Sequence, residues 1–134
     1  MQEFHWPIRV YYEDTDSGGV VYHSNYLNFM ERARTEWLRA LGFEQNSLRD
    51  DYQLLFAVHS MTINYRQPAR FNDSLVVSST LEKCAGASMQ FMQRIYREQE
   101  LMCEASVKIA CLDAECFRPK SIPKIIMTEM RSDG

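Results

Sequence analysis

The 134-residue sequence has few of the features that would place it in a membrane or outside the cell. Its longest uninterrupted apolar run covers only residues 54–58, whereas a helix that spans a bilayer needs about 20 apolar residues. Residues 1–7 lack the basic start and the apolar run of a secretory signal. The formal net charge of −3 does not favour a broad surface for nucleic acid or anionic membranes. These absences predict a cytoplasmic protein.

The sequence lacks any cysteine motif. The four cysteines, Cys84, Cys103, Cys111 and Cys116, show no Cys-x-x-Cys pair, so the spacing predicts neither a zinc site nor a redox motif. In a cytoplasmic protein we expect these thiols to be reduced. Cys103 and Cys111 share parity with apolar neighbours, which predicts small buried side chains.

The length and composition of the chain suit one globular domain. Hydrophobic residues make up 46% and charged residues 25% of a chain that is long enough for a single core. There is no internal repeat, linker or low-complexity segment. We therefore treat residues 1–134 as one domain.

The clearest helical pattern covers residues 25–41. Its apolar side chains recur at steps of three and four residues and form one stripe: Tyr26, Leu27, Met30, Ala33, Trp37 and Leu41. Ser24 or Asn25 is a suitable N-cap, and Gly42 is a suitable end. Shorter helical segments are predicted over residues 47–52 and 125–130.

Alternation of apolar and polar residues predicts five strands, over residues 4–12, 55–66, 74–83, 87–97 and 101–113. Alternation of this kind is typical of antiparallel strands with one buried face. Pro7 indicates a free edge in the first strand. The sequence thus predicts an α+β domain in which a curved five-stranded sheet wraps one long helix. An open sheet has two edges that invite pairing, so we expect a homo-oligomer, at least a dimer.

An acidic turn with two glycines, residues 13–19, separates the first strand from the long helix. Glycine lets the backbone approach a ligand closely, and the unpaired N–H groups at a helix start attract negative charge. A carboxylate held opposite such a helix start can act on an electrophilic carbonyl. Residues 10–31 are therefore the candidate functional segment.

An acidic turn of this kind has three other interpretations. An EF-hand loop that began at Asp14 would need a glutamate where the chain has Asn25, which excludes that site. Phosphatases that form an aspartyl-phosphate space two aspartates as Asp14 and Asp16 are spaced, but the further strand–helix alternation of a parallel sheet is missing. Spacing alone leaves open a solvated turn that only caps the helix.

The block Tyr-Tyr-Glu-Asp-Thr-Asp-Ser-Gly-Gly-Val-Val-Tyr-His-Ser-Asn-Tyr at residues 11–26, followed by Phe-Met-Glu-Arg-Ala-Arg at residues 29–34, resembles the signature of hotdog-fold thioesterases. It is most similar to the tol-pal-associated acyl-CoA thioesterases of the 4-hydroxybenzoyl-CoA thioesterase group. The similarity runs from about residue 6 to residue 123 and includes residues 65–70 and Asp73. It implies a hotdog fold and hydrolysis of acyl-CoA thioesters with short aliphatic acyl groups, without metal or cofactor.

The resemblance assigns the catalytic carboxylate to Asp16, with Tyr12 and His23 as further catalytic residues. Asp16 would act either as a nucleophile, through a mixed anhydride, or as a general base for water. Backbone N–H groups around His23 and the first helical turn would stabilise the oxyanion, aided by the helix dipole. Asp14 is assigned to the geometry of the turn.

Substrate binding is expected at Gly19, Val20 and Ser24 around the turn. Arg66 and Arg70 are expected to face the phosphates of coenzyme A. Weaker candidates for the same task are the basic residues Arg94, Arg118, Lys120 and Lys124. Distant members of the group carry a basic cluster before the fourth strand, whereas this chain has Ala-Gly-Ala-Ser there.

The resemblance also bears on partners. Hotdog enzymes form their sites between subunits, so a homodimer or homotetramer is expected. The link to the tol-pal system suggests a role in envelope and phospholipid metabolism, with acyl carrier protein as a partner. Any attachment to the inner membrane is expected only through partner proteins. The alternative function is a hotdog protein that binds acyl carrier protein or acyl-CoA without hydrolysis. A turn carboxylate argues against it, because a charge is poorly suited to hold an acyl chain.

Overall fold

The computed structural model describes residues 3–132. Its strands are β1 (Glu3–Arg9), β2 (Leu54–Tyr65), β3 (Ser74–Ala85), β4 (Ser88–Arg97) and β5 (Glu100–Asp113). Its helices are α1 (Asn25–Ala40), α2 (Gln45–Tyr52) and α3 (Lys124–Ser132), with a short 3-10 turn at Tyr12–Asp14. The strands form one antiparallel sheet in the order β1-β3-β4-β5-β2, which wraps α1. The α+β architecture predicted from the sequence is confirmed, and none of the described helices is long and apolar enough to cross a membrane.

The buried face of α1 follows the predicted stripe with two changes. Its buried side chains are Tyr26, Phe29, Met30, Ala33, Trp37 and Leu38. Leu27 and Leu41 lie at the flanks of this face and are only partly buried, while Phe29 and Leu38 take the central positions. The Trp37 ring meets the Phe91 ring of β4 edge to face, with centroids 5.0 Å apart. Aromatic packing of this kind fixes the second half of α1 against the sheet.

Strand β1 ends at Arg9, three residues before the predicted end. The backbone leaves β1 because the Val10 N–H donates to the Asp73 carbonyl and the Asn72 N–H donates to the Val10 carbonyl, each at 2.9 Å. The chain then enters the 3-10 turn. The strand predicted over residues 4–12 is therefore too long, and Tyr12 lies beyond its end with a side chain that is 81% exposed.

Strand β2 contains a bulge between Val58 and Ser60. A bulge adds one residue to a strand and moves the buried face from one parity to the other. Accordingly, Phe56 packs against the core before the bulge and Met61 packs against it afterwards. The regular alternation predicted for the strand over residues 55–66 is wrong for this reason, because the buried parity changes within the strand.

Cys103 and Cys111 are buried, as their parity predicted. Cys84, Cys103 and Cys111 are free and buried, whereas Cys116 is exposed. Burial raises the pKa of Cys103 to about 12 and that of Cys111 to about 11. Both thiols are therefore neutral at physiological pH and behave as small apolar side chains.

One buried polar side chain, Gln93 of β4, ties α1 to the sheet. Its Nε2 donates to the Met30 carbonyl at 3.0 Å and to Ser79 Oγ at 2.8 Å. Its Oε1 accepts a hydrogen bond of 2.8 Å from Arg34 Nη1. Burial lowers the pKa of the Arg34 guanidinium, and the neighbouring charge of Glu31 partly offsets that effect. These bonds set the position of α1 along the sheet.

Candidate active site

Asp14 joins the acidic turn to the start of α1. The residue is 4% exposed, and its carboxylate accepts the Tyr11 N–H at Oδ2 and the Asn25 side-chain amide at Oδ1, both at 2.9 Å. The Asp14 carbonyl also accepts the Tyr22 N–H at 2.9 Å. A buried carboxylate with two such donors is a structural group. The contacts agree with the assignment of Asp14 to turn geometry.

Several backbone N–H groups at the start of α1 have no acceptor among the described residues. Ser24 occupies the N-cap position, but its side chain makes no capping bond, and the Asn25 side chain is used by Asp14. The Asn25 N–H donates to the Tyr22 carbonyl at 2.8 Å. Across residues 3–132, the N–H groups of His23 and Ser24 find no acceptor. Free N–H groups at this end of a helix are the donors that a developing negative charge requires.

Asp16 lies in the tight hairpin turn that precedes the helix. Its N–H donates to the Val20 carbonyl at 2.9 Å, and its carbonyl accepts the Gly19 N–H at 3.0 Å. Its Oδ1 accepts the Gly18 N–H at 2.8 Å, and an added Cβ on Gly18 would lie 3.2 Å from that oxygen. Gly19 has a φ of +81°, which L side chains rarely adopt. The turn thus fixes Oδ1 of Asp16 by a hydrogen bond, and the Asp16 side chain is exposed.

Tyr65, at the end of β2, holds the segment before α1 and was missed by sequence reasoning. Its hydroxyl donates to the His23 carbonyl at 3.0 Å. Its ring meets the rings of His23 and Tyr26 edge to face, with centroids 6.5 and 5.5 Å apart. Partial burial raises the pKa of Tyr65, so the hydroxyl remains a donor. The only sequence signal for this residue is its place in the family-like segment 65–70.

A cavity of about 260 Å³ adjoins the start of α1. Its lining residues are Val21, His23, Tyr26, Tyr65, Arg66, Gln67 and Pro68. Of the residues predicted for the site, it brings together His23 and Arg66. The Arg66 guanidinium pairs with Glu104 at 2.8 Å, and Arg94 pairs with the same carboxylate at 3.3 Å. Two arginines on one carboxylate leave a net positive charge beside the cavity.

Two predicted residues, Tyr12 and Arg70, do not line this cavity. Tyr12 packs its ring edge to face on Phe71, with centroids 5.9 Å apart. The Arg70 backbone forms a bridge with Val20, which places Arg70 beside the hairpin. No acidic side chain in the described part of the chain pairs with the Arg70 guanidinium, so its charge is available.

Lys120, a weaker candidate for coenzyme A, has a structural role. Its Nζ donates to the Tyr52 carbonyl at 2.6 Å and to the Gln53 carbonyl at 3.3 Å. It also lies 3.8 Å from the Asp113 carboxylate. The ammonium group therefore closes the end of α2 against the β5 turn.

Comparison with known proteins shows the family of this chain. The family model of the thioesterase-like superfamily matches residues 10–129. The acyl-CoA thioesterase YbgC of Haemophilus influenzae is 46% identical over 121 residues, which cover 90% of this chain and 89% of that protein. The acyl-CoA thioester hydrolase YbgC of Escherichia coli is 45% identical over 129 residues and 96% of each chain.

Solved structures give the same result. A probable thioesterase from Bartonella henselae superposes with a TM-score of 0.87 at 34% identity, covering 91% of this chain and 100% of that one. The resemblance inferred from residues 11–26 is thereby confirmed. The chain belongs to the thioesterase-like superfamily, and its sheet and central helix form the hotdog fold.

Proposed function

We propose that this protein hydrolyses acyl-CoA thioesters to the free acid and coenzyme A. The observation that carries the proposal is the 46% identity to an acyl-CoA thioesterase over 90% of the chain. The free N–H groups at the start of α1, next to the Asp16 hairpin, supply a chemical reason for it. The test is a free-thiol assay against acyl-CoAs of graded length. Binding without thiol release would instead favour the non-hydrolysing alternative.

In the proposed reaction, Asp16 provides the negative oxygen and the α1 start provides the donors. As a nucleophile, the carboxylate bonds to the thioester carbon, coenzyme A leaves as a thiolate that takes a proton, and water cleaves the mixed anhydride. As a general base, Asp16 removes a proton from the water that attacks the same carbon. In both routes the N–H groups of His23 and Ser24 would stabilise the oxyanion. Tyr12 would orient the carboxylate or the water.

A homo-oligomer formed through the β2 edge is part of the proposal. Strand β2 has 12 residues and one unpaired edge, whereas the other edge strand, β1, has 7 residues and carries Pro7. Proline lacks the N–H that edge pairing requires. Val58 on β2 is 49% exposed, and a second copy would cover it. Light scattering is expected to give a dimer or a tetramer, and a monomer would contradict this part.

Substrate contacts complete the proposal. Gly19, Val20 and Ser24 would face the thioester end of the substrate. Arg66 and Arg70 would face its phosphates, because a charge-assisted hydrogen bond to phosphate is stronger than a neutral one. We retain the cytoplasmic location as an expectation. Links to the tol-pal system, acyl carrier protein and the inner membrane are expectations from the family resemblance.

Replacing Tyr12 with phenylalanine is expected to lower kcat by about tenfold. The change removes the hydroxyl hydrogen bond to the carboxylate or the water, and the loss of about 1.4 kcal/mol of transition-state stabilisation corresponds to that factor. The melting temperature should change little, because the side chain is 81% exposed. Thiol-release kinetics and thermal unfolding check both parts. An unchanged kcat would remove Tyr12 from the reaction.

Replacing Tyr65 with phenylalanine is expected to lower kcat by about tenfold and to change KM by less than about twofold. The ring contacts stay, but the hydroxyl bond that holds the His23 carbonyl is lost, so the neighbouring N–H groups lose their fixed direction. Tyr96→Phe is the matched control, because its hydroxyl bonds to none of the described residues. Equal losses of kcat in the two variants would contradict a positioning role for Tyr65.

A further inference from the structure

The Asp14 carboxylate and the Asn25 side chain form a bridge between the acidic turn and the first residue of α1. Asn25 Nδ2 donates to Asp14 Oδ1 at 2.9 Å, and Asp14 Oδ2 accepts the Tyr11 N–H at 2.9 Å. The Asp14 carbonyl accepts the Tyr22 N–H at the same distance of 2.9 Å. One residue of the turn thus contacts the segment before α1 through its backbone and the first residue of α1 through its side chain.

The bridge holds the α1 start without occupying its free N–H groups. An aspartate beside a helix start usually accepts backbone N–H groups of the first turn, which stabilises the helix but uses those donors. Asp14 instead accepts the Tyr11 N–H and a side-chain amide. Ser24 makes no capping bond, and the first turn of α1 contains no acidic residue. The N–H groups of His23 and Ser24, which find no acceptor within residues 3–132, therefore remain available to a negative oxygen.

The same bridge fixes the proposed donors relative to Asp16. The Tyr65 hydroxyl donates to the His23 carbonyl at 3.0 Å, so two separate parts of the chain hold residues 23–25. Asp14 lies two residues before Asp16 in the same turn. A change in the bridge would therefore move the Asp16 carboxylate and the α1 start relative to each other. A displacement of about 1 Å between reacting groups can lower a rate by about 10²-fold.

We infer that Asp14 and Asn25 are positioning residues for the proposed thioester hydrolysis. Their bridge directs the N–H groups of His23 and Ser24 at the thioester carbonyl, and it keeps the Asp14 charge off those donors. Neither side chain of the bridge needs to touch the substrate. The inference rests on the proposed function, and it gives the buried Asp14 a role in the rate as well as in the turn.

Replacing Asn25 with alanine tests the bridge. The change removes the amide donor but keeps a good helix former, so kcat should fall by about 30-fold, while KM should change by less than about twofold. Thiol release from butyryl-CoA gives both constants, and thermal unfolding gives the folded fraction for which the rates are corrected. Asn28→Ala is the matched control, because Asn28 is an exposed asparagine of α1 whose side chain makes no hydrogen bond to the described residues. It should keep the kcat of the unmodified protein.

An exchange of the two side chains separates catalysis from stability. Asn25→Asp alone places two carboxylates against each other and should lower the melting temperature. Adding Asp14→Asn restores one donor and one acceptor, so the melting temperature should recover to within about 3 °C of the unmodified value. The carboxylate then belongs to the first residue of α1, where it competes with the oxyanion for the free N–H groups. We therefore expect kcat of the exchanged protein to stay at least about tenfold below the unmodified value.

A role in the turn alone would give a different pattern. It would leave a normal kcat for the folded fraction of Asn25→Ala, or it would restore kcat together with the melting temperature in the exchanged protein. Either result would overturn the inference, as would an equal fall of kcat in Asn28→Ala. A change of KM as large as that of kcat would also overturn it, because Asn25 would then act in substrate binding. If the unmodified protein releases no thiol from any acyl-CoA, the proposed function itself fails and the inference fails with it.

Discussion

Replacing Asp16 with asparagine is expected to reduce kcat for acyl-CoA hydrolysis by about 10³-fold or more. The amide neither attacks a thioester carbon nor accepts a proton from water, so both routes are lost. The fold should be retained, because the asparagine Oδ1 can still accept the Gly18 N–H that Asp16 accepts at 2.8 Å. Thiol-release kinetics give the rate, and thermal unfolding should give nearly the same melting temperature.

The matched control for this variant is Asp50→Asn on α2, an exposed aspartate outside the proposed site. It loses the same charge and should keep the unmodified rate. A rate for Asp16→Asn that equals the control would remove the proposed mechanism. An unfolded Asp16→Asn protein would instead give the side chain a structural role that its exposure does not suggest.

Replacing Gln93 with leucine is expected to lower the free energy of unfolding by about 3 kcal/mol. The change leaves the Arg34 guanidinium partly buried without its acceptor and leaves the Met30 carbonyl without a side-chain donor. An unpaired buried charge costs more than the lost hydrogen bond itself. For a chain of this length we expect the melting temperature to fall by roughly 10 °C. Denaturant unfolding gives the free energy.

A double variant separates the unpaired charge from lost packing. Arg34→Leu combined with Gln93→Leu removes both partners, and apolar replacement of both costs less than removal of one. The double variant should therefore be more stable than Gln93→Leu alone. If the effects of the two single changes simply add, the arginine is not destabilised by the loss of Gln93, and the assigned cause is wrong.

The helix and the strands were predictable because their signals are local. Apolar residues three or four apart mark α1, and alternating residues mark the strands, without knowledge of their neighbours. The predictions of strand length and of the buried face were wrong where a contact with a distant part of the chain determines the local structure. Strand β1 ends early because Val10 bonds to residues 72 and 73, and the parity of β2 changes at a bulge opposite β5.

In the candidate site, too, residues close in the sequence were predictable, whereas contacts between distant residues were not. Asp14 and Asp16 lie in one short turn next to a helix start, and the resemblance of that turn to the family predicts different roles for them, of which the catalytic role of Asp16 stays a prediction. Tyr65 lies 42 residues after His23, and no local pattern relates the two. Arg70 reaches the turn through a backbone bridge to Val20. Such contacts exist only after β2 and the following loop have folded over the hairpin.

Taken alone, the sequence determined the class of fold and the position of the long helix, and it predicted the segment that is proposed to carry the chemistry. Hydrophobic periodicity and turn composition act over a few residues, so they can be recognised from neighbouring positions in the sequence. The tertiary structure decided which donors remain free at the α1 start, which side chains hold that start in place, and where the cavity beside it opens. These features depend on how α1 sits on the sheet, and hydrogen bonds such as Gln93 to Met30 and Tyr65 to His23 set that position across distant parts of the chain.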